Sequence, residues 1–292
     1  MTQSRWAAAA IEAATGRTTE LVIVRTIGDR KTDAALADVG SIGLFTKEVQ
    51  DAVLDGRADY AVHSLKDLPA EQTAGLVLAA VPVREDSRDW LLIRREARAA
   101  GDDRDSGARL LPLAAGARVG TSAARRAAFL RALAPETEPQ LLRGNVPTRV
   151  RRLVDGDFDA VLLSGAGLRR LGLDLSDLEV LPLDPQVWPG APGQGALALE
   201  CREDEEDVRT ALASLHDLAA ESTVSAERDL LCRLGGGCGL PLGAHSVADG
   251  DQWILHAALG PTADGDPPLR TARACGATPA EAAGAAHREL VG

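Results

Sequence analysis

The chain has 292 residues, of which 45% are hydrophobic and 26% are charged, as is typical of a globular protein with a sizeable core. Its net charge of −11 argues against nucleic acid or an anionic membrane surface as a partner. No apolar stretch approaches the roughly 18 residues that a membrane helix needs. Residues 1–16 read as an amphipathic helix and not as a signal peptide, so a cytoplasmic location is predicted.

The predicted elements alternate between helices and strands, which favours an α/β fold with a mainly parallel sheet. The first half contains a helix over 5–15, a strand over 20–28, a helix over 45–56, a strand over 58–64 and a charged linker over 95–116. The second half contains a strand over 117–122, a helix over 123–133, a strand over 140–146, a helix over 148–153, a strand and helix over 158–172, a strand over 196–202, a strand near 253–260 and an Ala-rich C-terminal helix.

The stretch HSLKDLP (63–69) follows the strand over 58–64, at the strand end where α/β sheets bind ligands. Asp67 beside Lys66 can present an ionised carboxylate to N–H donors or to a developing positive charge. A surface turn with a weak Lys–Asp pair explains this stretch equally well when it is taken alone.

Arginines cluster after two further strands. The stretch GTS (120–122) leads into a helix whose first turns carry Arg125 and Arg126, an arrangement suited to anions. RGNV (143–146) follows the next strand, with Arg149 close behind. Because guanidinium groups bind carboxylates with two parallel hydrogen bonds, these sites predict a ligand with several carboxylates or phosphates.

The four cysteines lie in the last third of the chain and form no C-x-x-C pair, so we expect neither a disulfide framework nor a metal site. Only Cys238 has unusual surroundings, because glycines flank it on both sides in LGGGCGLP (234–241). Glycines clear space around the sulfur. That clearance indicates a covalently modified or nucleophilic cysteine.

Six motifs, taken in order, resemble those of the hydroxymethylbilane synthase (porphobilinogen deaminase) family over nearly the whole chain. They are HSLKDLP, GTSAARR, RGNVPTRVRRL, AGLRRLG, APGQGALALE and ERDLLCRLGGGCGLPLG. The resemblance implies two lobes like those of type II periplasmic binding proteins, with the active cleft between them, and a small α+β C-terminal domain. We expect domain 1 over 1–94 and 187–208, domain 2 over 95–186 and domain 3 over 209–292.

The resemblance also implies a monomeric transferase whose substrate is porphobilinogen. Cys238 matches the cysteine that carries a dipyrromethane cofactor through a thioether, and Asp67 matches the catalytic aspartate. The cofactor-binding residues implied are Lys66, Ser64, Thr121, Ser122, Arg125, Arg126 and Gly144. The substrate-binding residues implied are Arg143, Arg149, Phe45 and Gln194.

Two departures from the family pattern stand out. The family begins with a strand and a Gly-Thr-Arg-x-Ser stretch before the first helix, so the first strand is expected to be missing here. This departure makes an inactive, N-terminally truncated paralogue an alternative. In addition, residues 171–182 carry Asp174, Asp177 and Glu179 where the family has a carboxylate-binding arginine. Arg169 or Arg170 is the candidate replacement.

Two other functions remain open. A non-catalytic two-lobed protein that binds carboxylates would hold its ligand reversibly and would leave Cys238 unmodified. A phosphate-handling transferase would use the Gly-Thr-Ser turn, but the chain lacks a Walker-type glycine loop. The state of Cys238 separates the enzyme from both.

Overall fold

The computed structural model describes residues 1–24, 46–99, 110–237, 239–262 and 266–292. Within these ranges the strands form three sheets, with helices packed on each. The helices are α1 (Thr2–Thr15), α2 (Lys47–Leu54), α3 (Ala124–Leu133), α4 (Val146–Val154), α5 (Gly165–Leu171), α6 (Glu206–Ala213), α7 (Leu218–Arg233) and α8 (Pro279–Val291). The strands are β1 (Tyr60–Ser64), β2 (Leu76–Ala80), β3 (Asp89–Arg94), β4 (Arg118–Thr121), β5 (Glu138–Leu141), β6 (Ala160–Ser164), β7 (Leu178–Pro182), β8 (Leu197–Arg202), β9 (Leu242–Asp249), β10 (Gln252–Leu259) and β11 (Arg270–Gly276).

The first sheet has the order β1-β8-β2, and β8 is antiparallel to both neighbours. Helix α1 packs Ala7 and Ile11 against Leu199 on one side of β8. Val224 of α7 packs in the cluster of Ala198 on the other side. Because helices cover both faces, β8 is a nearly continuous buried strand, unlike the alternating β1.

The second sheet has the order β5-β4-β6-β3-β7. Strand β4 is parallel to β5 and β6, whereas β3 is antiparallel to β6 and β7. On one face, Phe129 of α3 meets Trp188 edge to face, with ring centroids 5.3 Å apart. On the other face, α4 packs Val150 and Leu153 into a core around Phe158.

The third sheet is an antiparallel meander of β9, β10 and β11, with α7 and α8 on one face. Ala282, Ala283 and Ala286 of α8 are fully buried in its core. Small side chains on this helix face let α8 pack closely against the sheet. The residues of this sheet and its two helices thus form a separate C-terminal unit with its own hydrophobic core.

Two crossovers join the first and second sheets, over residues 81–88 and 183–196. They touch where Glu85 N donates to Gly195 O at 3.2 Å. Gly195 has φ +90°, and a Cβ there would lie 2.3 Å from Glu85 O. The close approach of the two crossovers therefore requires glycine at this position.

The third sheet is attached to these crossovers by the fully buried Glu227 of α7. Arg84 donates to both carboxylate oxygens of Glu227, at 2.9 and 2.8 Å. The backbone N–H groups of Gly193 and Ser246 also donate to Glu227, at 2.8 and 3.1 Å. All three units of the fold therefore meet at the crossovers.

The mixed α/β class and the separate C-terminal unit are confirmed, but the prediction of a mainly parallel sheet is wrong. Within the described residues, only the pairings of β4 are parallel. Strand β3 is antiparallel to both neighbours because it begins where they end. Asp89 at its start pairs with Ser164 at the end of β6, and Trp90 pairs with Pro182 at the end of β7.

The strand predicted over 20–28 is also not found in its described part. Residues 20–24 have no strand partner, and Val22 and Ile23 are 51% and 70% exposed. Apolar β-branched residues favour a strand, but a strand forms only when a neighbour supplies hydrogen bonds. The missing first strand and the domain boundaries stay predictions, although β3 hydrogen-bonds in the second sheet.

We expect Gly195→Ala to lower the free energy of unfolding by roughly 2–5 kcal/mol, because the Cβ adds both backbone strain and overlap with Glu85 O. Gly116→Ala is the matched control, since Gly116 has φ +77° but nothing within 4 Å of its would-be Cβ. We expect it to cost only about 1 kcal/mol. Urea unfolding measures both, and equal losses would contradict the role of the crossover contact.

Candidate active site

The turn after β1 is a single 3-10 turn over Leu65–Asp67. Leu65 is fully buried, and its N–H donates to Ala196 O at 3.0 Å. Arg228 of α7 donates to Leu65 O and to three carbonyls just after the turn. With its backbone anchored from both sides, the turn leaves Lys66 half-buried and Asp67 exposed.

Ser64, the last residue of β1, lies against α1. Gln3 Nε2 donates to Ser64 Oγ at 2.7 Å, and Ser64 Oγ lies 3.2 Å from Gln3 Oε1. His63, its neighbour in the same motif, is buried on the opposite face of β1, 3.1 Å from the carboxylate of Glu200. Of these two motif residues, Ser64 thus contacts α1, whereas His63 is buried beside Glu200.

Lys66 is held by the amide of Gln194, which comes from the second crossover. Lys66 Nζ donates to Gln194 Oε1 at 3.1 Å, and Gln194 Nε2 donates to Asp89 Oδ1 at 2.9 Å. Burial lowers the pKa of Lys66 to about 8, although Asp67 and Asp89 oppose this shift. Lys66 is therefore mostly a cation at neutral pH, and it loses its charge as the pH rises through about 8.

Arg125 and Arg126, in the first turn of α3, both bind the carboxylate of Asp89. The distances from their Nη2 atoms are 2.8 Å to Oδ2 and 2.7 Å to Oδ1. Trp188 Nε1 donates to the same carboxylate at 3.0 Å. Burial raises the pKa of Asp89, but Arg125 and Arg126 lower it much further, so the net pKa is far below the ordinary value. Asp89 is therefore ionised.

Arg149 of α4 adds a fourth cation close to Arg126. Burial lowers the pKa of Arg149, and the charge of Arg126 lowers it further. Its Nε donates to Gly144 O at 2.7 Å. Gly144 has φ +109°, so the RGNV turn needs a glycine there, and Arg143 before it is exposed. Lys66, Arg125, Arg126 and Arg149 are called the cationic cluster below.

Two further predicted residues lie at the N-terminus of α3. Thr121 is buried, and its Oγ1 accepts from Ala123 N at 3.2 Å. Ser122 is exposed. The hydroxyl of Thr121 thus shapes the turn before the helix, while that of Ser122 faces outward.

Phe45 and Cys238 lie outside the described residues. The chain on either side of Cys238 is described: Leu240 N donates to Gly237 O at 3.0 Å, and Gly235 has φ +62°. Gly236, Gly237 and Gly239 border an open cavity of about 700 Å³ whose other wall is α3. The cysteine loop is therefore adjacent to the helix that carries Arg125 and Arg126.

Arg169 and Arg170 have hydrogen-bond partners outside the acidic segment over 171–182. Glu179 pairs with Arg98. Arg169 binds Glu85 at 3.1 Å, and Arg170 donates to Gly195 O at 2.7 Å. Both arginines thus contact the crossovers, and their predicted role as replacement carboxylate ligands stays a prediction.

Sequence reasoning missed Asp89, Trp188 and Arg228. Asp89 did leave a signal, because an acidic residue that opens the apolar strand DWLLIR is buried only if cations or donors meet it. Arg228 left none, since one arginine on a helix with several charges is usually a solvated residue. Its four carbonyl contacts depend on where α7 packs.

The chain matches two family models, each with a descriptive name. "Porphobilinogen deaminase, dipyromethane cofactor binding domain" matches residues 1–210, and "Porphobilinogen deaminase, C-terminal domain" matches residues 222–285. A porphobilinogen deaminase of Sorangium cellulosum is 47% identical over 261 residues, covering 89% of this chain and 82% of that protein. One of Syntrophobacter fumaroxidans is 42% identical over 268 residues, covering 91% and 81%.

Solved structures are similar only loosely. A double-mutant BvgS VFT2 domain of Bordetella pertussis gives a TM-score of 0.42 at 18% identity, covering 76% of this chain and 82% of that one. An ancestral cationic amino acid solute binding protein gives a TM-score of 0.42 at 12% identity, covering 78% and 83%.

Within the described ranges, none of the helices is long and apolar enough to cross a membrane. The two family models together match most of the chain, and the relatives share well over a third of their residues with it. Three of the motifs that carried the resemblance contain Lys66, the Arg125–Arg126 pair and Arg149, whose charges interact. The chain belongs to the porphobilinogen deaminase family.

Proposed function

We propose that this chain is a hydroxymethylbilane synthase. It joins four porphobilinogen molecules head to tail with loss of ammonia, and then releases hydroxymethylbilane by hydrolysis. The observation that carries this proposal is the cationic cluster, whose Lys66 is the neighbour of Asp67 on the turn after β1 and interacts with Arg125 and Arg126. Each porphobilinogen unit has one acetate and one propionate group, so the growing chain is a polyanion of the kind that such a cluster binds.

A dipyrromethane cofactor on Cys238 fits the residues around it. Its two pyrrole rings bring four carboxylates, and the cationic cluster has more positive charge than Asp89 and Asp67 can offset. Among the described residues, Arg126 Nε is buried without a hydrogen-bond partner, as expected for a donor that awaits an anionic group. Lys66, Arg126 and Arg149 would hold these carboxylates, and Thr121, Ser122, Ser64 and Gly144 would line the same site.

When bound, the cofactor supplies a free pyrrole α-carbon as the attachment point for the first substrate. The chain's own residues bind and orient. Arg143 and Arg149 bind substrate carboxylates, and Phe45 packs against a pyrrole ring. Gln194 is fully buried and its amide is already bonded to Lys66, Ser87 and Asp89, so it acts on the substrate through Lys66. The half-buried position of Lys66 strengthens its attraction for a carboxylate, because solvent screens the pair less there.

Asp67 handles the charge that develops during each condensation. The aminomethyl group of porphobilinogen is protonated at neutral pH, and it leaves as ammonia with the electrons of the C–N bond, so the positive charge passes to the pyrrole. An ionised carboxylate next to that pyrrole stabilises the charge and accepts the N–H hydrogen bond. The new C–C bond then forms, and the attacking α-carbon loses a proton. The anchored turn after β1 keeps Asp67 in place through these steps.

We also propose that the protein works as a monomer in the cytoplasm. The three described cysteines, Cys201, Cys232 and Cys275, are all free. Reduced cysteines are usual in that compartment. Light scattering tests the monomer, and a stable dimer at micromolar concentration would contradict it.

The intact protein should carry a covalent adduct equal in mass to two porphobilinogen molecules less two of ammonia, because each attachment releases one ammonia. Cys238→Ser should lose this adduct, as a hydroxyl is a far weaker nucleophile than a thiolate. Cys232→Ser is the matched control, and it should retain the adduct. Mass spectrometry of the intact protein decides, and an unmodified Cys238 in the folded protein would favour a non-catalytic carboxylate-binding protein.

Asp67→Asn should fold normally and still bind porphobilinogen, while kcat falls by roughly 10²- to 10⁴-fold because the amide carries no negative charge. Glu71→Gln serves as the control, since it removes another exposed carboxylate from the same segment and should leave kcat unchanged. Steady-state turnover measures both. Substantial turnover in Asp67→Asn would show that another group handles the charge.

The value of kcat/KM for porphobilinogen should fall on the alkaline side of a midpoint near the Lys66 pKa of about 8. Lysine is a cation below its pKa and neutral above it, so carboxylate binding weakens as the pH rises through this value. Lys66→Arg stays charged and should move the alkaline limb to higher pH. A pH–rate profile that is the same for both proteins would contradict the role of Lys66.

A further inference from the structure

We propose that Asp89 is a positioning residue, which holds the donors of the active site in the geometry that binds substrate carboxylates. It does so by binding Arg125, Arg126 and Gln194 directly, and Lys66 through Gln194. This inference rests on the proposed function, because it assigns a role within that same site.

The contacts of Asp89 come from two parts of the fold that are separate from its own strand. Arg125 and Arg126 begin α3, whereas Trp188 and Gln194 belong to the second crossover. Asp89 itself is the first residue of β3, just after the first crossover. One carboxylate therefore fixes a helix terminus and a crossover relative to the edge of the second sheet.

Asp89 does not bind the substrate itself, because its oxygens are already occupied. Oδ1 accepts from Arg126 and Gln194, at 2.7 and 2.9 Å. Oδ2 accepts from Trp188 and binds Arg125, at 3.0 and 2.8 Å. The residue is fully buried, and four donors fill the acceptor sites that a carboxylate offers. Its influence on a ligand must therefore pass through these donors.

Charge gives a second reason why this carboxylate is needed. Arg126 and Arg149 interact as like charges, and Arg125 and Arg126 do so as neighbours on α3. Without a counter-charge between them, the two buried guanidinium groups of α3 would separate or draw in water. Asp89 offsets part of this repulsion and leaves the cluster with excess positive charge for the ligand.

The same sheet contains a second Arg–Asp ion pair, Arg118–Asp159, that lies outside the proposed site. Asp159 accepts from Arg118 N, Nε and Nη2, at 2.8, 3.0 and 3.1 Å. Both side chains are partly exposed, and the pair lies at the start of β4, away from Arg125 and Arg126. Asp159→Asn is thus a matched control for Asp89→Asn.

The first readout is the titration of Lys66, which needs neither substrate nor turnover. The chain has only three lysines, Lys31, Lys47 and Lys66, so NMR of lysine labelled at the side chain resolves them. The charged groups that face Lys66 are Asp67, Asp89, Arg125 and Arg126. Because Asp89 favours the cation, Asp89→Asn should move the Lys66 midpoint to lower pH by about half a unit or more, and Asp159→Asn should not.

The second readout is kcat/KM for porphobilinogen. Asp89→Asn should lower it by roughly 10- to 100-fold, since donors displaced by about 1 Å no longer match the ligand. Asp159→Asn should stay within about twofold of the unaltered protein, even if both variants lose thermal stability. A folded Asp89→Asn with an unmoved Lys66 midpoint, or with unchanged kcat/KM, would overturn the inference.

Asp89→Glu keeps the proposal testable if Asp89→Asn does not fold. Glutamate preserves the buried charge but moves the carboxylate by one methylene group. If Asp89 positions its partners, kcat/KM falls although the Lys66 midpoint stays near its original value. Unchanged kcat/KM would show that only the charge matters. If the unaltered protein has neither turnover nor a dipyrrole adduct, the proposed function fails, while the Lys66 titration still decides whether Asp89 acts on Lys66.

Discussion

Positive charge buried between two sheets needs a carboxylate beside it, and in this fold Asp89 meets that need. Arg125 and Arg126 are 4% and 5% exposed, so solvent offers them little screening. Their ion pairs with Asp89 allow α3 to begin with two adjacent arginines inside the protein. The same carboxylate binds the amide that holds Lys66. The placement of the binding cations thus depends on one buried acidic group.

A second buried carboxylate, Glu227, repeats this arrangement for the third sheet. It binds Arg84 of the first crossover and Gly193 N of the second. Arg84 Nε also donates to Gln194 O, at 2.9 Å. Gln194 therefore connects both carboxylates, by its backbone to Arg84 and by its side chain to Asp89. The C-terminal unit is in this way attached to the residues that hold the cationic cluster in place.

The sequence predicted local features well where the residue type limits the conformations or positions that a residue can adopt. The glycines around Cys238 were expected to free the backbone, and Gly235 has a positive φ. The strand end before Lys66 and Asp67 was predicted as a ligand-binding edge, and the turn there is anchored and partly exposed. The apolar segment over 20–24 shows the opposite case. Its residues favour a strand, yet residues 20–24 form none, because a strand needs a neighbouring strand for its hydrogen bonds. Within the described residues no such neighbour pairs with this segment.

The sequence predicted neither the directions of the strands nor which arginines pair with Asp89. Periodicity predicts a strand but not the edge at which it starts, so β3 was not expected to run against β6 and β7. Arginines at strand ends predicted carboxylate partners, but not that one of those partners is Asp89 of the chain itself. Asp89 and Arg126 are 37 residues apart, and only packing brings such groups within hydrogen-bond distance.

The sequence by itself determined the α/β class, the family and the residue types of the site, because motifs and periodicity are local and the chemistry of a carboxylate or a guanidinium travels with the residue. Only the tertiary structure decided which cations are paired, which are open to a ligand, and how the three sheets meet. Those properties depend on burial and on distances between segments, which arise when the crossovers pack against each other at Gly195 and when Asp89 and Glu227 become enclosed.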